Sequence, residues 1–270
     1  MKNIKIKSAL LSVVALSGLS TATASYAFII DNFNAGGTLI GAFNSPSPSN
    51  NVTTTESGFS NSDVLGTARD LQVFVANPGA FNTSATATTA ANSTPQFTFV
   101  AQRSNGPANS TYSIVWDGTA AATNPLAVTT NGLGSVDFSG SISNPNVAIR
   151  FDIISFNDIA AGSTASLTLW SNNGLNQAVN TVNNISTLGV GSDLFFDFTG
   201  FAGALDITTI SAIRFDLTLT QFVGGSSNFG IDVVEVVPIP FEFNPAIGVG
   251  ILGLAWGANK LRKAKKASSN

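Results

Sequence analysis

The residues of this chain that could do chemistry are carboxylates, a few arginines and a few aromatic rings. Fourteen Asp and Glu residues lie between residues 28 and 238, enough to supply the two facing carboxylates of a glycoside hydrolase, but no spacing singles out a pair. The chain contains no His and no Cys. This removes the commonest general base, the commonest metal ligand and every Ser-His or Cys-His dyad. We therefore expect a protein that is not an enzyme and that uses no cofactor.

Aromatic side chains offer a different chemistry, which is stacking on the apolar face of a sugar ring. Trp170 precedes the turn sequence Ser-Asn-Asn-Gly, so it is expected at the end of a strand beside a loop. Tyr112 is the second candidate for a ligand-stacking residue, and Trp116 also precedes a turn. Packing in the core or at a strand end is the alternative for each ring. The phenylalanines are assigned to the core.

Carboxylate oxygens can also bind Ca²⁺. Asp31, Asp232 and Glu235 form the candidate set, and they would meet only if the first and last strands of the body pair. No Asp-x-Asp-x-Asp run or EF-hand spacing accompanies them. The set is a weak one, and the sequence predicts no metal site beyond it.

One pattern, Ala-Ile-Arg-Phe-Asp, occurs twice in the chain, around Arg150 and around Arg214. Strand alternation places each Arg and its following Asp on the face opposite the apolar residues. If the two strands pair antiparallel, Arg150 meets Asp216 and Asp152 meets Arg214, which would fix the register of the pair. The alternative is an acid–arginine patch that binds an anionic or sugar ligand.

The elements that must position these residues are strands. Ten or more short segments of alternating polarity, rich in β-branched and aromatic residues, are separated by clusters of Asn, Gly, Ser and Asp. No segment of the body shows a helical period with caps. The pattern predicts an all-β fold, a single antiparallel β-sandwich of jelly-roll-like type. The terminal strands, near 28–33 and 229–237, are expected to be neighbours.

Residues 1–27 have the composition of a secretory signal peptide. They contain three lysines, an apolar core and a small-x-small cleavage sequence at Ser25-Tyr26-Ala27. The body at 28–237 is then expected to be exported and to lie outside the cytoplasm.

The last segment, 238–270, combines a proline-rich start, an apolar span and a basic end. The span predicts a transmembrane helix over 245–259, which anchors the chain at least before processing. Positive charge stays in the cytoplasm, so the basic residues set the orientation. They are Lys260, Arg262, Lys263, Lys265 and Lys266.

This segment resembles the sorting signals of bacterial exosortase substrates, the PEP-CTERM group. Pro240, Phe241 and Glu242 stand where the usual signal has Pro-Glu-Pro, in a variant of cyanobacterial type. The resemblance implies recognition by a membrane-embedded exosortase, removal of the tail and delivery to the cell surface or extracellular matrix. A simple tail-anchored ectodomain is the alternative.

The net charge of the body excludes some classes of binding partner. The body has no lysine and four arginines, so its fourteen carboxylates leave a net charge near −10. Such a surface repels nucleic acid and anionic lipid headgroups. We expect an exported surface or extracellular-matrix protein with a structural or adhesive role. The alternative is a carbohydrate-binding module for exopolysaccharide. The arginines are Arg69, Arg103, Arg150 and Arg214.

Overall fold

The structure is a computed structural model that describes nine ranges of the chain. They are residues 27–34, 39–43, 50–76, 84–88, 99–106, 109–119, 127–139, 147–220 and 222–238. The predicted signal peptide up to residue 26, the sorting motif, the 245–259 span and the basic tail lie outside them. Within these ranges no helix has the length and apolar character needed to span a membrane. The chain divides into two compact units, Met1–Pro238 and Ile239–Asn270, and the nine ranges all belong to the first unit.

The described residues form β-strands and three short 3-10 helices, so the all-β prediction is confirmed for this part of the chain. The strands in the first half are β1 (Phe28–Asp31), β2 (Leu39–Phe43), β3 (Asn50–Ser57), β4 (Ala68–Ala76), β5 (Ser84–Thr88), β6 (Phe99–Gly106) and β7 (Asn109–Trp116). Those in the second half are β8 (Val147–Asn157), β9 (Thr164–Ser171), β10 (Asn176–Asn183), β11 (Asp193–Asp197), β12 (Ala202–Gly203), β13 (Ile210–Leu219) and β14 (Phe222–Pro238). The 3-10 helices are Leu65–Thr67, Ile185–Thr187 and Phe198–Gly200.

Sheet A has the strand order β11-β8-β14-β6-β5-β2, with all pairs antiparallel. Strand β14 is seventeen residues long, so one of its edges pairs with β8 while the other pairs first with β6 and then with β1. Phe28 lies opposite Val236, and Ile29 lies opposite Glu235. The predicted pairing of the first and last strands is therefore confirmed.

Sheet B has the order β12-β10-β9-β13-β7-β4-β3, again antiparallel throughout. The inner faces of the two sheets form one apolar core, built from alternating residues of each strand. Strand β7 shows the pattern clearly, because Tyr112, Ile114 and Trp116 are all fully buried in that core. The predicted antiparallel sandwich is thus confirmed as two packed antiparallel sheets.

The predicted pairing between the two Ala-Ile-Arg-Phe-Asp segments is wrong. The first lies in β8 of sheet A and the second in β13 of sheet B, so their strands face each other across the core. Phe151 and Phe215 meet there with ring centroids 4.5 Å apart. Arg150 and Arg214 consequently point to opposite outer surfaces of the sandwich. Alternation determines which face a side chain occupies, but two strands with one pattern can equally well lie in facing sheets.

Candidate functional site

Trp170 lies on the outer face of sheet B, near the end of strand β9. Ala165, Leu167 and Leu169 of this strand are fully buried in the core. Because side chains alternate along a strand, Trp170 points away from the core. It is half-buried, so part of the side chain remains accessible.

The strands beside β9 determine the space around this ring. Gln177 of β10 lies directly opposite Trp170 on one side, and Ala212 of β13 lies opposite it on the other. Gln177 is exposed, whereas Ala212 is fully buried and contributes only a methyl group. Arg214 is the next outward residue of β13, a diagonal neighbour of Trp170 at a typical distance of about 7–8 Å. The indole of Trp170 therefore has the small residue Ala212 on one side, and the polar side chains of Gln177 and Arg214 are its neighbours on the same face.

A fixed polar group occupies the middle of the same face. Nε and Nη2 of Arg214 donate to Oδ1 of Asp216 at 2.9 and 2.7 Å. The hydroxyl of Ser113, on the neighbouring strand β7, donates to the same oxygen at 2.5 Å. The side chains of Arg214 and Asp216 are 22% and 21% exposed. The arrangement holds a charged donor and a charged acceptor in set positions while solvent still reaches both.

The turn that follows Trp170 has an unusual backbone. Asn172, Asn173 and Gly174 have φ values of 54°, 55° and 81°, three successive residues in the left-handed region. Asn and Gly tolerate this region better than other residues, which explains the Asn-Asn-Gly sequence. The predicted turn after Trp170 is confirmed, and it connects β9 to β10 as a hairpin.

Contacts with a second loop anchor this turn. The amide of Gly174 donates to the Ser211 hydroxyl at 3.1 Å, and that hydroxyl donates to the Thr130 carbonyl at 2.6 Å. A Cβ atom on Gly174 would lie 2.2 Å from Oγ1 of Thr130, so only glycine fits. The loop that contains Thr130 is tied in turn to Asp117, whose Oδ2 accepts from the Thr129 amide at 2.7 Å. The turn beside Trp170 is therefore held by hydrogen bonds to a second loop.

The outer face continues onto strand β4 with polar residues that are almost fully buried. Gln72 donates to Oδ1 of Asn51 at 2.8 Å, and Asp70 accepts a short hydrogen bond from the Thr55 hydroxyl. Burial raises the pKa of Asp70 to about 6; the Thr55 bond lowers it and the charge of Asp117 adds to the rise. Asp70 is therefore largely charged at pH 7 and largely neutral at pH 5.

Tyr112, the second predicted stacking residue, is fully buried on the inner face of β7. A ring without exposed surface cannot receive a ligand, so Tyr112 does not take that role. Trp116 is buried as well, and its indole nitrogen donates to Oδ2 of Asp31 at 2.9 Å. For both rings the core-packing alternative holds.

The predicted Ca²⁺ set is not brought together, although β1 and β14 do pair. A register shift between Ile29 and Asp31 turns Asp31 inward, where it binds Arg69 and Trp116. Glu235 pairs with Arg150 instead. In the part of the chain that the structure describes, no three His, Cys, Asp or Glu side chains are grouped to hold a metal ion.

Assigning every phenylalanine to the core was wrong for Phe195. This residue of β11 is 40% exposed on the outer face of sheet A, directly opposite Arg150. Its neighbours Leu194 and Phe196 are buried, so strand alternation alone indicates the exposure. The exposure of Phe195 is hard to predict from the sequence, because Leu194, Phe195 and Phe196 form a run of three apolar residues.

No protein-family model and no curated protein sequence matches the chain. Among solved structures, it is similar to the carbohydrate-binding module CtCBM11 at 13% identity and a TM-score of 0.33, covering 81% of this chain and 99% of that one. It is also similar to a structure of carbohydrate-binding modules from the β-sandwich superfamily, at 9% identity and a TM-score of 0.32, covering 81% of this chain and 64% of that one. A third likeness is to an exo-β-agarase, at 11% identity and a TM-score of 0.31, covering 79% of this chain and 25% of that one. Likeness at this level assigns no activity to the chain.

Proposed function

We propose that this protein is an exported surface protein whose β-sandwich binds polysaccharide through the outer face of sheet B. The observation that carries the proposal is the position of Trp170, half-buried on that face beside the small residue Ala212. Its role is binding rather than catalysis. The proposal rests on this geometry and not on the likeness to known modules.

Two kinds of contact would recognise a sugar on this face: stacking on its ring and hydrogen bonds to its hydroxyls. An indole offers a large apolar surface that suits the apolar face of a sugar ring. Arg214 and Asp216 supply a donor and an acceptor for sugar hydroxyls, and hydrogen bonds to charged groups are about twice as strong as neutral ones. Because Ser113 and the ion pair already hold these groups in place, little ordering accompanies binding.

The test is affinity electrophoresis of the full chain, in non-ionic detergent, through native gels that contain soluble polysaccharides. We expect at least one polysaccharide to slow the protein and Trp170→Ala to abolish the retardation. Phe195→Ala is the matched control, since it removes an exposed ring from the outer face of sheet A. The control should migrate like the unchanged protein.

A purely structural or adhesive role, the first expectation from the sequence, predicts a different result. In that case no polysaccharide would retard the protein, or Trp170→Ala and Phe195→Ala would reduce retardation equally. Either outcome would refute binding through the outer face of sheet B.

We also propose that the C-terminal segment is an exosortase-type sorting signal, recognised through Pro240, Phe241 and Glu242. In support, the last strand of the body ends at Pro238, so the motif follows the folded body at once. Intact mass of the protein from cells and medium tests this. A species from near Phe28 to near Pro240 is expected; a full-length species found only in membranes would favour the tail-anchored alternative.

The finer description of the fold as jelly-roll-like is also a proposal. It is supported by the repeated passage of the chain between sheets, as from β4 to β5, from β6 to β7 and from β8 to β9. Such passages are typical of double-sheet jelly rolls.

A further inference from the structure

We infer that the polysaccharide bound by the outer face of sheet B is neutral, carrying no carboxylate, sulfate or phosphate groups. This inference rests on the proposed function and specifies its ligand class. It follows from where the structure places positive charge.

Proteins bind anionic polymers through lysines and arginines that can meet acidic groups with bidentate or point-charge contacts. Between residues 28 and 238 the chain has no lysine and four arginines. The three whose side chains the structure describes are each paired with a carboxylate on the protein itself. They are Arg69 with Asp31 and Glu56, Arg150 with Glu235 and Asp193, and Arg214 with Asp216.

Only one of these three arginines lies on the face that carries Trp170. Arg69 is fully buried in the core, and Arg150 is on the outer face of sheet A. The remaining one, Arg214, uses two of its nitrogens on Asp216. Because Asp216 already neutralises the charge of Arg214, the pair offers an acidic sugar no net positive charge.

The rest of the face adds negative charge. Asp70 belongs to it, and the body as a whole carries about ten more negative than positive charges. At low salt this charge acts over long distances, since the Debye length is about 30 Å at about 0.01 M and about 8 Å at about 0.15 M. Polyanions are repelled before they reach Trp170, whereas a neutral chain approaches without an electrostatic cost.

The experiment is affinity electrophoresis of the full chain in non-ionic detergent, with EDTA present to remove bridging cations. One set of gels contains neutral polysaccharides such as β-glucan or galactomannan, and the other contains alginate or polygalacturonate. We expect retardation that depends on Trp170 in at least one neutral gel. In the polyanion gels we expect the retention that depends on Trp170 to be at least about tenfold weaker at low salt.

A double variant tests whether charge is the cause. Thr53 and Thr181 are exposed residues on β3 and β10. Thr53→Lys with Thr181→Lys should gain retention by polyanions at low salt while retention by neutral polysaccharide stays within about twofold of the unchanged protein. Thr53→Gln with Thr181→Gln is the matched uncharged control and should gain nothing.

The outcomes separate this inference from the proposed function. Strong retention by a polyanion that Trp170→Ala abolishes would overturn the neutral ligand and keep the binding face. A lysine variant that gains no polyanion retention would overturn charge as the reason for the selectivity. Retardation by no polysaccharide of either kind would overturn the proposed function, and the inference with it.

Discussion

Arg69 and Arg214 lie on opposite faces of the same sheet, and they differ in almost every physical respect. Arg69, on strand β4, points into the core with no exposed side-chain surface. Arg214, on strand β13, points outward and keeps about a fifth of its side chain accessible. Arginine is therefore a buried residue on the inner face of sheet B and a solvent-accessible residue on its outer face.

The environment of Arg69 is that of a fully satisfied buried charge. Its Nη1 donates to both oxygens of Asp31 at 2.7 and 2.8 Å, and its Nε donates to Glu56 at 2.8 Å. The guanidinium lies 4.8 Å from the ring centre of Phe33 and 5.0 Å from that of Phe59. Burial raises the pKa of Asp31, while Arg69 and the indole of Trp116 oppose the rise by stabilising the charged form.

This cluster joins the two sheets at the beginning of the body. Asp31 ends β1 in sheet A, whereas Glu56, Arg69 and Trp116 belong to β3, β4 and β7 in sheet B. Breaking it leaves charges in the core without partners, which is far costlier than breaking a surface pair. The difference teaches that an arginine in this protein is structural or available for function according to the face it occupies.

The largest expected effect follows from removing the buried cation. Arg69→Met removes the cation that Asp31 and Glu56 share, so we expect a loss of about 3–5 kcal/mol in the free energy of unfolding. Urea unfolding followed by tryptophan fluorescence measures it. Arg214→Met is the control, since it breaks a pair in which both side chains are about a fifth exposed and should cost less than about 1 kcal/mol.

Equal losses in the two variants would show that the buried cluster is no more important than a surface pair. If Arg69→Met does not fold, Arg69→Lys serves instead. It keeps the charge but loses the planar fork, so it should fold with a lower stability than the unchanged protein.

A smaller effect is expected from Asp70, which is buried on the outer face of the same strand as Arg69. Its pKa is raised from 3.8 to about 6, so the folded state holds this proton more tightly than the unfolded state does. Stability from this group is therefore highest below pH 4 and falls as the pH rises to about 6. Asp70→Asn should remove this fall, on the order of 3 kcal/mol, in thermal unfolding measured between pH 4 and pH 7. The prediction is contradicted if stability depends on pH in the same way in Asp70→Asn and in the unchanged protein.

The smallest effect on stability is expected at the outward arginine. Arg214→Met breaks a partly exposed ion pair, so the free energy of unfolding should change by less than about 1 kcal/mol. Retention by polysaccharide should nevertheless weaken by about tenfold, which corresponds to about 1.4 kcal/mol of binding free energy. Thermal unfolding and affinity electrophoresis of the same sample give both values. A large loss of stability with unchanged retention would reverse the roles assigned to the two arginines.

Parts of the site could be predicted from the sequence because they depend on local signals. The Asn-Asn-Gly turn is visible as sequence, and a tryptophan directly before it stands at a strand end. Strand alternation correctly placed Ile149, Phe151 and Phe215 in the core. Strand alternation could not show that Tyr112 is buried and Trp170 accessible. Whether a ring faces inward depends on which face of its strand the opposite sheet covers.

Other parts could not be predicted, because they depend on contacts between distant residues. Asp31 and Arg69 are thirty-eight positions apart, and Asp31 and Trp116 are eighty-five apart. A register shift in β1 turns Asp31 inward, which separated the proposed Ca²⁺ ligands. The two Ala-Ile-Arg-Phe-Asp segments look like partners in one sheet and lie in two.

The sequence by itself determined that the body is all β and that its net charge is strongly negative. These properties follow from composition and from a two-residue period, both of which are local. Only the tertiary structure decided which strands pair, which arginine is buried and which aromatic ring remains accessible. The reason is that an alternating strand can satisfy its backbone and bury its apolar face in either sheet, so the choice depends on packing across the whole core.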